Sequence, residues 1–187
     1  MSDDVYFPDV AAFESWLESH HDSSEGIWIR MAKKGSGIRS LSSDEAVDVG
    51  LCWGWISGQR KSLDAQFYLQ KYVPRRPRSH WSQVNVEKVE QLSAAGRMRP
   101  AGLAEVEAAK RDGRWAAAYP PQSAFTIPED LIRALELNPG AAAAFHASAR
   151  TAQYTMVLDV LRARTPLSRQ ARISAIVGAL TDVTDPR

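Results

Sequence analysis

Residues 74–78 read Pro-Arg-Arg-Pro-Arg, and neither an interior strand nor a helix runs through such a tract. Each proline removes a backbone donor and pushes the residue before it toward extended geometry. The tract predicts an extended, polyproline-like connector. Hydrophobic patterning also changes across it, from short alternating runs before to helical spacing after. The fold must therefore be assembled from two kinds of segment.

Before the tract, "PDVAAFESWLESHH" places Ala12, Phe13, Trp16 and Leu17 at helical spacing behind Pro8. "GIWIRMAKKGSG" alternates Ile27, Ile29 and Met31 with Trp28 and Arg30, which predicts a strand ended by Gly35 and Gly37. Ser42, three residues before Glu45, is a capping-box pattern for a helix whose apolar face holds Ala46, Val47, Leu51 and Cys52. Gly54 and Gly58 are expected to break that helix and turn the chain. Residues 55–61 and 66–73 then run extended, with "SLDA" as a hairpin turn between them. Phe67, Leu69 and Val73 share one face of the second run, and Tyr68, Gln70 and Tyr72 share the other.

After the tract, Val86, Val89 and Leu92 mark one helix. Pro100 opens another, with Leu103 and Val106 inward and Gly113 at its end. Residues 128–137, 139–150, 151–163 and 167–181 read as helices punctuated by Pro139 and Pro166. The fold class expected is α+β. Residues 1–122 form a small mixed α/β core, a short antiparallel sheet with helices, and residues 123–187 form a mostly helical subdomain packed on it.

The 187 residues are 44% hydrophobic and 24% charged, an ordinary balance for a soluble chain. Net charge is +1, so no whole-molecule field draws it to nucleic acid or membrane. The distribution is uneven, however. Residues 1–25 hold seven acids and no lysine or arginine, whereas residues 60–99 hold nine bases against three acids, a net of +6. Cys52 is the one cysteine, which excludes an intrachain disulfide and suits a reducing compartment. The acidic N-terminus is unlike a signal peptide, and no run approaches 18 apolar residues. A cytoplasmic protein without membrane insertion is expected.

Three strings carry a resemblance. They are "GWISGQRK" (residues 54–61), "PRRPRSHWSQVN" (74–85) and "GRMRPAG" (96–102), within a stretch from Trp28 to Tyr119 that continues more loosely through "RTAQYTMVLDVLRARTPLSRQARI". This stretch resembles the YdeI or OmpD-associated family, also called bacteriocin-protection proteins. The resemblance implies a small bacterial cytosolic protein associated with resistance to antimicrobial peptides and other stresses. It brings no catalytic residues with it.

The residues themselves carry little catalytic signal. Cys52 lies in an apolar stretch, and His20, His21, His80 and His146 show no cysteine–histidine signature, so an inert buried thiol is expected. Neighbouring His20 and His21 would point about 100° apart on a helix. No HExxH, paired CxxC, Walker or GxSxG motif occurs, and "KKGSGIRS" lacks the end of a phosphate loop. No metal or cofactor is expected. What stands out is a basic, aromatic constellation whose candidate ligand-binding residues are Trp55, Gln59, Arg60, Lys61, Arg75, Arg76, Arg78, Trp81 and Asn85. Guanidinium groups fork onto phosphate or carboxylate, and aromatic faces stack on planar groups. The plain counter-reading is that the arginines solvate a surface while Trp81 packs in the core. In this view a turn at Gly58, with φ above zero, delivers Gln59, Arg60 and Lys61 close to where the Pro-Arg tract leaves the sheet.

Three functions are compatible with these residues. The first is a binding protein for an anionic small molecule, a nucleic acid or an acidic protein partner. The second is an enzyme with a pocket between core and helical half, lined by Trp53, Trp55, Gln59, Tyr68, Trp81 and Asn85. The third is an interaction protein using the small residues of "PGAAAAFHASARTAQYTMVLDVL". The sequence leaves the oligomeric state open.

Overall fold

The alternation in residues 27–31 has a simple structural origin, a sheet with one covered face. The computed structural model describes residues 4–184, side chains 183 and 184 excepted. Strands β1 (Asp4–Tyr6), β2 (Ile27–Ala32), β3 (Trp55–Ser62) and β4 (Phe67–Pro74) form one sheet in the order β1-β2-β4-β3. β1 runs parallel to β2, and the other pairs are antiparallel. The sheet is thus mixed rather than purely antiparallel, because a short N-terminal strand joins its edge. Ile29 and Met31 are fully buried, and Trp28 and Arg30 are half-exposed.

The covered face packs on helices α1 (Val10–His20) and α2 (Ser43–Cys52) through Phe13, Leu17, Ala46 and Val49. The capping box forms as the sequence predicts. Ser42 Oγ accepts from Glu45 N at 3.3 Å, and Glu45 Oε2 accepts from Ser42 N at 2.9 Å. Those bonds hold the Glu45 carboxyl below its ordinary range.

Helices α3 (Gln83–Ala94) and α4 (Pro100–Arg111) follow. The inward line of α4 is Gly102, Val106 and Ala109. Leu103, expected inward, is 43% exposed. The reason is Gly102. Arg99 N donates to Cys52 O at 3.1 Å, which seats the start of α4 on the end of α2. A Cβ built at position 102 would lie 2.2 Å from that same carbonyl oxygen. Only a residue without a side chain fits at the closest approach, and this rotates Leu103 outward.

Two further expectations are corrected. Residues 75–80 are a braced turn rather than an extended connector. Arg76 O accepts from Ser79 N at 3.0 Å, with Pro77 second and Arg78 third in the turn, the latter at φ +68°. This is the geometry of a type II turn, in which the third position is ordinarily glycine. Gly58 has no positive φ and lies inside β3, whereas Gly54 takes φ +75° and makes the break after α2.

The chain divides into two compact units, Met1–Ala117 and Ala118–Arg187. The second is helical throughout its regular structure: α5 (Glu129–Glu136), α6 (Pro139–Ala147), α7 (Arg150–Leu161) and α8 (Pro166–Thr184). The predicted helices are all present. They enclose a core of Phe125, Leu131, Leu135, Ala141, Phe145, Val157, Val160 and Ile173. Arg169 clasps Asp130 through Nε–Oδ2 at 2.6 Å and Nη2–Oδ1 at 2.9 Å, tying α8 to α5 and holding the Asp130 carboxyl below its ordinary range. Among the described residues, no helix is long and apolar enough to cross a membrane.

Candidate functional site

The β3–β4 hairpin organises the chemistry of the first unit. Its turn is held by Asp64, whose carboxylate accepts from the backbone N–H of Gln66 at 2.7 Å and of Phe67 at 2.8 Å. These bonds hold the carboxyl below its ordinary range. Along the hairpin, Ser57 opposes Tyr72 and Arg60 opposes Gln70, so Gly58 and Gln59 together face Lys71. This is a bulge of one extra residue. Gln70, buried beneath it, stitches it shut. Its Nε2 donates to the carbonyls of Gly58 (2.9 Å) and Gln59 (3.1 Å), and its Oε1 accepts from Arg60 Nε at 2.9 Å.

Opposed residues of antiparallel strands share a face, so the registers define what the uncovered side of the sheet presents. One row runs Tyr6, Arg30, Leu69, Lys61, and the next runs Asp4, Trp28, Lys71. Arg30 Nε pairs with Asp4 Oδ2 at 2.6 Å. The two lysines converge on the indole, with Lys61 Nζ 4.5 Å and Lys71 Nζ 5.8 Å from the Trp28 ring centroid. Neither lysine forms an ion pair among the described residues. An ammonium over an exposed ring contributes only about 0.5–1 kcal/mol. Both charges are therefore held in place yet exchangeable.

Part of the uneven charge in the sequence is neutralised internally. The acidic N-terminal segment supplies Asp4 to Arg30, Asp9 to Arg39 and Glu14 to Arg97, and α2 supplies Asp44 and Asp48 to Lys88.

The residues singled out in the sequence are distributed as follows. Trp55 is buried in the core with Nε1 donating to His21 O at 3.2 Å. Gln59 is exposed in the bulge. Arg60 turns to the covered side at the sheet edge, 4.5 Å over the Tyr68 ring and bonded to Gln70 and Ser43. Lys61 faces the open side. Arg75 is buried, 3.7 Å over the Trp81 ring, with Nη1 donating to His80 O at 3.1 Å. Trp81 is buried too and packs on Trp115. Arg76 and Arg78 are exposed on the turn, which Arg114 braces by donating to Ser79 O at 3.0 Å. Asn85 lies in the first turn of α3, its N–H taken by Ser82 Oγ at 3.2 Å.

The structure thus brings Arg75 and Trp81 together and puts Arg76 and Arg78 on one turn. It does not bring Lys61 to them. Lys61 opposes Leu69, and six residues of strand at about 3.3 Å each separate Leu69 from Arg75, roughly 20 Å. Lys61 lies near the hairpin tip, and the Pro-Arg tract leaves from the other end. Sequence reasoning missed Trp28 and Lys71. The signal was present in a half-exposed strand position occupied by tryptophan, on the face that alternation assigns to solvent.

A second feature of this unit is a cleft of about 320 Å³ whose lining includes His21, Asp22, Trp53, Trp55 and Glu105. Gln59, Tyr68, Trp81 and Asn85 do not line it. The His21 ring lies 4.8 Å from Trp53, and its Nδ1 is engaged with Leu17 O at 3.0 Å. Cys52 is fully buried, and burial pushes its thiol pKa up, so it is kept protonated and inert. Among the described residues, no three histidine, cysteine, aspartate or glutamate side chains are grouped to hold a metal ion.

Two family models match the chain. One, a domain of unknown function (DUF8412), covers residues 5–105. The other, described as bacteriocin-protection, YdeI or OmpD-associated, covers residues 124–182. The bacteriocin-protection resemblance is borne out, but on the helical segment where the sequence carried it more loosely. No curated protein and no solved structure matches.

Proposed function

We propose that this chain, which belongs to the DUF8412 family, binds a phosphate-bearing polyanion on the open face of its sheet. The observation that carries the proposal is the convergence of Lys61 and Lys71 on Trp28, two cations without acidic partners among the described residues. Holding them against the ring reduces the rotamer freedom that binding would otherwise have to remove. Phosphate contacts by lysine release counterions, so affinity falls steeply with salt.

The test is heparin retention together with titration of a labelled polyanion across a range of salt concentrations. Lys61→Ala combined with Lys71→Ala is expected to weaken binding about tenfold. It should also reduce the slope of log K against log salt by about 1.4 to 1.8. Both substitutions fall on exposed or half-exposed strand positions, so the urea midpoint should move little. Unchanged retention and slope would remove these lysines from any binding role.

The match of residues 124–182 to a family named for bacteriocin protection supports a place in resistance to antimicrobial peptides. A buried lone cysteine supports a cytoplasmic location. Expression in a sensitive bacterial host, with fractionation and bacteriocin challenge, tests both. Unchanged survival would discard the resistance role, and recovery outside the cytosolic fraction would discard the location.

A further inference from the structure

A polyanion alone would be served by lysines standing free in solvent, and here both lysines lean on an indole. We infer that the ligand of this face is single-stranded nucleic acid, with one base stacked on Trp28 and its flanking phosphates taken by Lys61 and Lys71. The inference rests on the polyanion reading and adds to it the planar half of the ligand.

A lysine over an exposed aromatic ring contributes roughly two- to fivefold to an equilibrium. A base stacked on an aromatic side chain contributes roughly 5- to 150-fold in affinity. An arriving base therefore displaces a lysine from Trp28 at a net gain. The displaced ammonium sits on a flexible four-carbon stem beside the ring, within reach of the phosphates that enter with the base. The free protein keeps the ring covered until then. Asp4, the carboxylate that shares the Trp28 row, is engaged by Arg30 at 2.6 Å and so repels the strand less than a free acid would. A duplex keeps its base faces inside the stack and offers only half of this recognition.

Fluorescence anisotropy of a labelled 12-residue oligothymidylate and of an abasic strand of equal length separates the two halves. Both strands should bind the parent protein, the oligothymidylate roughly 5- to 150-fold tighter. Trp28→Leu should bring the oligothymidylate down to the abasic level and weaken the abasic strand far less, by the loss of lysine positioning alone. Trp28→Phe, which keeps a smaller ring, should restore part of the preference. If both strands bind the parent equally, the polyanion reading stands and the nucleic-acid inference is overturned. The inference is also overturned if Trp28→Leu weakens both strands alike and Trp28→Phe recovers neither, because Trp28 would then be acting through the fold. If neither strand binds and heparin does not retain the protein, the polyanion reading itself is lost.

Discussion

Gly102→Ala is expected to destabilise the N-terminal unit by roughly 3 kcal/mol or more, one of the largest effects of a single added methyl group in this chain. The new Cβ would meet Cys52 O at 2.2 Å, Cys52 C at 2.7 Å and Leu51 O at 2.7 Å. All three are backbone atoms at the end of α2, so no side chain is available to swing aside. Relief requires α4 to retreat. That retreat breaks the bond from Arg99 N to Cys52 O and loosens Val106 and Ala109 from the core. Gly58 is the contrast, since a Cβ there would have Lys71 O as its nearest atom at 3.7 Å, ordinary contact. Urea unfolding of Gly102→Ala and Gly58→Ala checks the pair. A Gly102→Ala midpoint close to the parent's would mean that α2 and α4 do not approach as described.

Arg75→Ala is expected to cost about 2–4 kcal/mol and to leave polyanion affinity of the folded protein unchanged. Arg75 is only 5% exposed, its guanidinium covers the Trp81 ring at 3.7 Å, and it donates to His80 O across the turn. Truncation removes the packed stem, the plane stacked on Trp81 and the bond to His80 O. Arg75→Lys should recover little, because an ammonium lacks the planar fork that both stacks and bonds. Arg76→Ala, at the next position along the chain and exposed, should lie within about 0.5 kcal/mol of the parent. Thermal melts of the three variants, with anisotropy titration on those that fold, decide it. Equal melting of Arg75→Ala and parent would show that the arginine is surface after all.

That contrast shows where the sequence was informative. Alternation in residues 27–31, the Ser42–Glu45 pair and the proline-marked helices follow from local chemistry, and each appears where the local signal placed it. The run of arginines was harder, because charge composition does not reveal which of Arg75, Arg76 and Arg78 is folded under. Burial of Arg75 depends on Trp81 arriving from six residues further on. The short strand β1 has three residues and no pattern of its own, and it exists only because β2 offers it an edge. Of the candidate site, Lys61 alone was named from sequence. Its neighbours Trp28 and Lys71 come from other strands, and register, which no single segment encodes, brings them together.

The bulge at Gly58 and Gln59 acts as a phase shift. Trp55 is in the core and Ser57, opposite Tyr72, lies on the same side of the sheet, so unbroken alternation would carry Lys61 to that side as well. One extra residue inverts the parity, and Arg60 and Ser62 take the inward positions while Lys61 emerges beside Trp28. An edge strand of this sheet therefore places Trp55 on one side and Lys61 on the other with a single insertion. The arrangement depends on Gln70, whose side chain donates to the carbonyls of both bulge residues. Two relatives that differ by one residue between positions 57 and 60 would look nearly identical on alignment and yet present opposite faces of β3 to solvent. Their surface chemistry would have to be read in terms of parity before it was read in terms of composition.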